Sequence, residues 1–257
     1  MMEMDFALFQ HQLRKKLQFD FSGYRDRQIQ RRLRAYMQRL GLENYSALLK
    51  HLLESPKEVC ALRDYLAINV SEFFRNPDMF QYLTKEIMPG LGKDGNLKMW
   101  SAGCAVGCEP YTLSILAHEH YTGSWSILAT DIDGGAIAQA QEGVYDTDLV
   151  KSVPRQFMRK YFERCGEREF RIIPSLKENV RFKRLDLLTE SYPRGLDLIL
   201  CRNVVIYFTE KAKTKILASL SQSLRPGGVI FIGATESFYD YQAYQLKRVH
   251  PCFYQKV

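Results

Sequence analysis

The 257-residue sequence predicts a doubly wound α/β domain, built on a mostly parallel sheet, that follows a small all-helical N-terminal domain. Two observations lead to this fold class. Residues 1–75 show apolar residues at helical spacing and no strand alternation, whereas from about residue 97 onward apolar strand-like runs alternate with helical patterns. Such alternation implies right-handed crossovers that cover a parallel sheet with helices on both faces.

The N-terminal domain is predicted to consist of short helices. Its clearest pattern spans residues 26–40, where the positions at helical spacing on one side are Ile29, Leu33, Tyr36, Met37 and Leu40. The opposite side carries Arg27, Arg31 and Arg34. This is an amphipathic helix with an arginine-rich face, which could be an ordinary solvated face or a docking surface. Further helices are predicted at 44–53, 57–67 and 78–87.

The elements of the second domain follow in alternating order. Strands are predicted at 97–102, 126–130, 180–182, 196–201 and 229–233, and helices at 109–120, 135–142 and 211–224. A small hairpin is predicted between residues 170–173 and 180–183. We therefore place the N-terminal domain at 1–76, a linker helix and glycine-containing connector at 77–96, and the second domain at 97–257 with an insertion at about 165–183.

Composition excludes several classes of protein. A hydrophobic content of 46% with 25% charged residues is that of a folded globular chain, not of a disordered or fibrous one. No apolar run approaches the roughly 18 to 20 residues of a membrane span, and Glu3 and Asp5 stand where a signal peptide would be basic. The six cysteines form no CxxC pair. We expect a cytoplasmic protein with reduced thiols and no bound metal.

The net charge of +7 is concentrated near the N-terminus. Nine basic residues lie between Arg14 and Arg39, against only Asp20 and Asp26, so the rest of the chain balances to zero. A local positive field of this kind favours an acidic partner, which could be nucleic acid, a membrane surface or an acidic protein.

The candidate ligand site begins at residues 100–111, WSAGCAVGCEPY, read as a strand, a turn and a helix start. Gly103 and Gly107 let the backbone approach a ligand closely, and Pro110 suits the first turn of a helix. The next strand ends at Asp131, where a carboxylate can accept hydrogen bonds from ribose hydroxyls. A glycine turn or an Asp helix cap alone is common, but the combination predicts a nucleoside ligand.

Glu109 indicates which nucleoside ligand fits. A dinucleotide places its pyrophosphate at the start of this helix, where the negative charge of Glu109 would repel it. The same carboxylate suits a cation. S-adenosylmethionine carries a sulfonium and an ammonium group and no phosphate, so Glu109 favours it over NAD.

Several motifs resemble the chemotaxis receptor methyltransferases, the CheR family, which esterify glutamate side chains of chemoreceptors. Residues 69–75, NVSEFFR, are similar to the family's N-[TV]-[TS]-x-F-F-R pattern, and residues 100–111 resemble its WSAxxSxGEEPYS segment. Residues 201–208, CRNVVIYF, resemble its CRNVxIYF segment, and 224–228 and 233–237 match in kind. The resemblance covers nearly the whole chain. It implies a Rossmann-like class I methyltransferase domain with an all-helical N-terminal domain and a small β-hairpin insertion.

The resemblance also implies the site. S-adenosylmethionine, and S-adenosylhomocysteine as its product, would be contacted by Asn69, Ser71, Arg75, Gly103, Glu109, Asp131, Asp186, Leu187, Asn203 and Val204. Two residues are candidates for catalysis. Arg75 would orient the substrate carboxylate by a charge-assisted hydrogen bond, and Tyr207 would line the methyl-transfer site.

Two positions depart from the family pattern. Val106 stands where Ser or Thr is usual, and Cys108 replaces the first Glu of GEEP, whereas Glu109 keeps the second. We expect cofactor binding to survive and cofactor affinity to be the property that these changes affect.

The resemblance supplies a partner for the basic helix, the acidic helical methylation region of chemoreceptors, on which Arg27, Arg31 and Arg34 would dock. We expect no nucleic-acid partner and no membrane insertion. We also expect no binding of a C-terminal receptor peptide, because the insertion is short.

Two alternatives to a receptor methyltransferase stay open. One is an RNA or other methyltransferase, although residues 202–204 are Arg-Asn-Val where base-amine methyltransferases have Asn/Asp-Pro-Pro-Tyr. The other is a receptor-binding module that has lost catalysis.

Overall fold

In a computed structural model of the chain, which describes residues 4–17, 19–66 and 71–257, the contacts define two units. The helical unit comprises Met1–Ile68 and Tyr207–Lys213, and the α/β unit comprises Asn69–Ile206 and Thr214–Val257. No helix in the described ranges combines the length and apolarity of a transmembrane segment.

In its described residues before position 67, the helical unit contains four helices, α1 (Phe6–Leu17), α2 (Asp26–Leu40), α3 (Tyr45–Glu54) and α4 (Pro56–Leu66). Their apolar faces meet in one core, in which Phe9, Leu33 and Leu48 are fully buried. Asn44 begins α3 as predicted, because its side-chain oxygen accepts a hydrogen bond from the N–H of Ala47 at 3.0 Å.

Helix α2 has the predicted bounds and the predicted two faces. Four of the five predicted apolar positions are buried, Ile29, Leu33, Tyr36 and Met37, whereas Leu40 is 37% exposed. Leu40 belongs to the last turn, and Gly41, with φ +68°, ends the helix immediately after it. Arg27, Arg31 and Arg34 are all exposed.

The segment Tyr207–Lys213 packs within the helical unit. The N–H of Arg25 donates to the carbonyl of Tyr207 at 2.9 Å, and its guanidinium donates to the carbonyl of Phe208 at 3.2 Å and pairs with Glu210 at 3.0 Å. The rings of Tyr24 and Phe208 meet edge to face, with their centroids 4.8 Å apart. A segment more than 180 residues later in the chain than Arg25 therefore belongs to the helical unit.

Within its described residues, the α/β unit contains one large sheet. Its strands are β1 (Asn96–Ala102), β2 (Ser124–Asp131), β6 (Val180–Arg184), β7 (Leu196–Cys201), β8 (Leu224–Ile232), β9 (Leu246–His250) and β10 (Phe253–Lys256). They lie in the order β6-β2-β1-β7-β8-β10-β9. The first five run parallel, and β10 is antiparallel to both of its neighbours. The predicted doubly wound, mostly parallel sheet is confirmed.

Helices connect these strands. They are α5 (Pro77–Tyr82), which continues as a π-helical turn over Leu83–Ile87, α6 (Cys108–His120), α7 (Gly134–Glu142), α8 (Thr147–Val150), α9 (Arg155–Tyr161), α10 (Pro174–Lys177) and α11 (Glu210–Ser223). Helix α6 packs against β1 and β2, where Tyr111 and Leu113 are buried. Helix α6 confirms the helix predicted at 109–120 and begins one residue earlier, at Cys108.

A small antiparallel sheet forms the predicted insertion, but one predicted pairing is wrong. Strand β5 (Glu169–Ile172) lies between β3 (Val144–Asp146) and β4 (Phe162–Arg164), so the hairpin partner of residues 170–173 is β4. Strand β6, the expected partner, instead extends the large sheet beside β2. Its Phe182 packs on Tyr111 of α6, with ring centroids 5.6 Å apart, so an apolar contact with the helix that covers the large sheet favours this position of β6.

Candidate functional site

The turn between β1 and α6 lies at the carboxyl edge of the sheet. The N–H groups of Gly103 and Cys104 both donate to the carbonyl of Thr130, at 2.8 and 2.9 Å, which folds the turn over the end of β2. Gly103 has φ +83°, and a Cβ at this position would lie 2.3 Å from Cγ2 of Val204. Two predicted site residues, Gly103 and Val204, are therefore in direct contact, and only glycine fits.

The other end of the turn is held by a tyrosine from β3. Gly107 has φ +91°, and a Cβ there would lie 2.9 Å from the hydroxyl of Tyr145. That hydroxyl donates to the carbonyl of Val106 at 2.8 Å. Because Val106 is held through its backbone, the family's usual Ser or Thr is not needed to keep this turn in place.

Asp131 ends β2 beside the turn, as predicted. One carboxylate oxygen accepts from the N–H of Ala105 at 2.8 Å and the other from the N–H of Asp133 at 3.0 Å. Burial raises the pKa of Asp131, and the two N–H donors oppose that rise. Each carboxylate oxygen has a second acceptor position, so the group can also bind a ribose diol.

Asp186 and Leu187 follow β6 next to Asp131. The N–H of Leu185 donates to the carbonyl of Asp131 at 2.9 Å, which continues the strand pairing beyond β6. The carboxylate of Asp186 accepts from the N–H of Leu188 at 2.8 Å. The structure therefore brings these three predicted residues to one edge, with Asp186 engaged in its own turn.

Glu109 lies in the first turn of α6 and already has two partners. Its carboxylate accepts from the Ser101 hydroxyl at 2.7 Å and pairs with the guanidinium of Arg202 at 3.3 Å. Burial raises the pKa of Glu109, and the charge of Arg202 opposes the rise. A carboxylate held in this way can still receive a cationic ligand, so its contact with the cofactor remains a prediction.

Asn203 follows β7 in the left-handed region, with φ +59°. Its N–H donates at 2.8 Å to a carboxylate oxygen of Glu236, which also accepts from the N–H of Gly233 at 2.7 Å. Burial raises the pKa of Glu236. No specific role for Glu236 was predicted. The only signal was that residues 233–237 match the family in kind.

The loop that carries Arg75 is tied to α6. The hydroxyl of Ser71 is hydrogen-bonded to the thiol of Cys108, and the N–H of Phe74 donates to Oγ1 of Thr112 at 3.1 Å. Phe74 and Asn76 are left-handed, with φ +53° and +62°. Asn69, also predicted to belong to the site, lies outside the described residues.

The cysteines of the turn are buried. Burial raises the pKa of Cys104 well above its ordinary value and that of Cys108 to about 12. Both are therefore protonated near neutral pH, which disfavours metal binding or nucleophilic chemistry. Cys108 is a buried, neutral hydrogen-bond partner of Ser71.

The remaining predicted residues lie in the helical unit. Tyr207 belongs to the segment that Arg25 holds there, and Arg27, Arg31 and Arg34 lie on the exposed face of α2. The α/β unit thus gathers the described cofactor candidates, and the helical unit carries Tyr207 and the docking candidates.

Fold and site define a class. The parallel strands are followed by an antiparallel β10 between β8 and β9, the glycine turn lies against Asp131 at the carboxyl edge, and Glu109 stands where a phosphate would otherwise bind. These are the features of an S-adenosylmethionine-dependent methyltransferase. A family model described as the SAM binding domain of CheR methyltransferase matches residues 69–250, and one described as its all-alpha domain matches residues 4–67. The chain belongs to the CheR methyltransferase family.

Two relatives match over most of their own length. A chemotaxis protein methyltransferase of Listeria innocua is 34% identical over 258 residues, covering 99% of this chain and 98% of the relative. One from Borreliella burgdorferi is 30% identical, covering 89% and 85%. Among solved structures, SAM-bound CalS10, an amino pentose methyltransferase from Micromonospora echinaspora, is 15% identical with a TM-score of 0.39, covering 63% of this chain and 50% of that one.

Proposed function

We propose that this chain transfers the methyl group of S-adenosylmethionine to glutamate carboxylates of chemoreceptors, forming methyl esters and S-adenosylhomocysteine. One arrangement supports this most. At a single sheet edge, buried carboxylates suited to a cationic nucleoside lie beside a loop that presents an arginine, Arg75. The names of the relatives, chemotaxis protein methyltransferases, point to the same substrate.

In the proposed reaction the substrate needs no deprotonation. A glutamate side chain has an ordinary pKa of about 4.3 and is already an anion near neutral pH. Its oxygen forms a bond to the methyl carbon as the sulfur–methyl bond breaks, and that electron pair stays on the sulfur, which becomes neutral. The protein therefore has to align the reacting atoms and exclude water, and no general base is required.

We assign the cofactor contacts as follows. Asp131 accepts the ribose hydroxyls, Asp186 and Leu187 lie against the adenine end, and Glu109 receives the ammonium group. Backbone groups at Gly103, Asn203 and Val204 complete the wall of the site, Ser71 approaches from the loop before α5, and Asn69 is assigned by its motif alone. The support is the common edge on which the described members of this set lie.

Arg75 is assigned to the substrate carboxylate. Its carbonyl accepts a hydrogen bond from Arg202 at 2.8 Å, and its positive charge lowers the pKa of Arg202, so an anion bound by Arg75 would be favoured by both charges. We assign Tyr207 to the methyl-transfer step on the basis of its motif alone.

We propose that residues 1–76 form the receptor-docking domain, whose last loop also contributes Ser71 and Arg75 to the site, and that residues 97–257, reached through 77–96, form the catalytic domain. Arg27, Arg31 and Arg34 are exposed on α2 at spacings of four and three residues, which places them on one side of the helix. This row suits an acidic helical surface such as a receptor methylation region. We propose that the small β3-β5-β4 sheet does not bind a C-terminal receptor peptide. The free thiols of the six cysteines fit action in the cytoplasm.

The decisive experiment is transfer of tritiated methyl to a purified receptor cytoplasmic fragment, run beside total RNA. We expect label on the fragment, released as methanol by mild alkali, because an ester hydrolyses and an N-methyl group does not. A fragment with its methylation glutamates changed to alanine serves as the matched control. Label on RNA, or alkali-stable label, would overturn the proposal in favour of another methyltransferase. Absence of transfer together with absence of S-adenosylhomocysteine binding in calorimetry would indicate a non-catalytic module.

A further inference from the structure

Arg202 is a charged side chain deep in the α/β unit. It follows directly after β7, is 7% exposed, and packs against the rings of Phe80 and Phe231, whose centroids are 5.1 and 4.5 Å from its guanidinium carbon. Burial lowers its pKa, while the charge of Glu109 raises it. Its Nε has no hydrogen-bond partner among the described residues. Buried ion pairs of this kind add little to stability over an apolar replacement, so another reason for the charge is needed.

The partners of Arg202 supply that reason. One guanidinium nitrogen pairs with Glu109 at 3.3 Å, and the other donates to the carbonyl of Arg75 and to Oδ1 of Asn76, both at 2.8 Å. Glu109 lies in α6, and residues 75 and 76 lie in the loop that precedes α5. One planar group therefore holds the proposed cofactor carboxylate and the backbone that presents the proposed substrate arginine.

The loop needs such a restraint. Phe74 and Asn76 both adopt positive φ, a conformation that costs free energy in a non-glycine residue and that the surroundings must maintain. Arg202 donates to the carbonyl of Arg75 and to the side chain of Asn76, so both of its bonds restrain the loop at the second left-handed residue.

We propose that Arg202 is a positioning residue that sets the distance between the cofactor site and the substrate site by holding Glu109 and the Arg75–Asn76 backbone in one network. This inference rests on the proposed function and adds to it a residue that contacts neither the reacting methyl group nor the substrate carboxylate. Lysine at this position would keep the charge but could not form the same fork of bonds.

The test compares Arg202→Lys with Arg225→Lys. Arg225 is half-buried and pairs with the buried carboxylate of Asp197 at the opposite end of β7, so it is a matched ion-pair control remote from the site. We expect Arg202→Lys to weaken S-adenosylhomocysteine binding by about tenfold, the value of one charge-assisted bond. We also expect kcat for receptor methylation to fall by about tenfold or more at saturating cofactor and receptor. Arg225→Lys should lower the thermal midpoint and leave the dissociation constant and kcat within about twofold.

Two further variants keep the inference testable if Arg202→Lys folds poorly. Asn76→Gly keeps the positive φ and removes only the Oδ1 acceptor, so kcat should fall while S-adenosylhomocysteine affinity is unchanged. In a Glu109→Gln background, Arg202→Lys should add little further loss of cofactor affinity, because both changes break the same contact.

The outcomes separate this inference from the proposed function. Normal binding and turnover in Arg202→Lys, or losses that track the thermal midpoint equally in Arg202→Lys and Arg225→Lys, would overturn the positioning role. If the wild-type chain methylated no receptor, the proposed function would fail. The binding measurements would then still decide the link between Arg202 and Glu109, and the link to Arg75 would be withdrawn.

Discussion

Glu236 and Asn203 are joined by a hydrogen bond of 2.8 Å from the Asn203 N–H to the Glu236 carboxylate. The same oxygen accepts from Gly233, so one buried side chain fastens the end of β8 to the turn after β7. That turn carries Asn203 at φ +59° and Val204 against Gly103. A carboxylate with no contact to the chemistry can therefore control the wall of the cofactor site.

We predict that Glu236→Ala weakens S-adenosylhomocysteine binding by about tenfold, since two N–H groups lose a charged acceptor. Glu236→Gln should retain most of the affinity, because the amide oxygen can still accept both bonds. Calorimetric titration measures this, with exposed Glu178→Ala as the control. Equal affinity in Glu236→Ala and wild type would show that the turn holds its shape without this side chain.

Gly103 provides a second prediction. Gly103→Ala combines the cost of positive φ with a clash against Val204, because its Cβ would lie 2.3 Å from Cγ2. Gly227 is the matched control, since it has φ +80° and nothing within 4 Å of its added Cβ. Each variant should lose about 1 kcal/mol of unfolding free energy from backbone strain.

Gly103→Ala should lose a further 1 to 3 kcal/mol or so from overpacking, and it alone should lose cofactor affinity. Urea unfolding and calorimetry measure the two effects. Similar stability and similar affinity in the two variants would contradict the close approach of Gly103 and Val204.

The secondary structure could be predicted because it depends on local periodicity. The bounds of α2 follow from its apolar stripe and from Gly41 after it. Pairing is not local. Strand β6 has the pattern of a hairpin partner for β5, but it pairs with β2, where Tyr111 of α6 offers Phe182 an apolar contact. No pattern within residues 165–183 contains that information.

The candidate site likewise contains residues whose places depend on local sequence and residues whose places depend on distant partners. Asp131 and Gly103 could be predicted because each has a recognisable place at a strand end. Arg202 and Glu236 could not, because their roles come from partners that are distant in sequence. The pair Arg202–Glu109 spans 93 residues and the bond Asn203–Glu236 spans 33. In sequence a charged residue beside a buried strand looks the same whether it is solvated or buried.

The raised pKa of Asp131 predicts how binding depends on pH. Because burial raises its folded pKa above the ordinary 3.8, the carboxylate is protonated at a higher pH than in the unfolded chain. Protonation removes an acceptor for the ribose, so S-adenosylhomocysteine affinity should fall as pH decreases from about 7 toward the raised pKa. Asp131→Asn should bind weakly and lack this part of the dependence.

The free energy of unfolding should change with pH in the opposite direction to cofactor affinity. A carboxyl whose pKa is higher in the folded state binds protons more readily when folded, so acidification through that pKa stabilises the free protein. Asp131 should therefore contribute a rise in stability over the same range in which affinity falls. Chemical denaturation of wild type and Asp131→Asn at several pH values measures the difference. A fall in the Asp131 contribution on acidification would contradict the raised pKa.

The arginine row of α2 gives the last prediction. Reversing Arg27, Arg31 and Arg34 to Glu should lower kcat/KM for receptor methylation by about tenfold or more at low salt and remove most of its salt dependence. S-adenosylhomocysteine affinity should not change. Lys15→Glu with Lys16→Glu is the control, because both side chains are exposed in the same helical unit, on α1, and their reversal also adds negative charge. If this control lost activity in proportion to its charge change, net charge and not a docking face on α2 would explain receptor recognition.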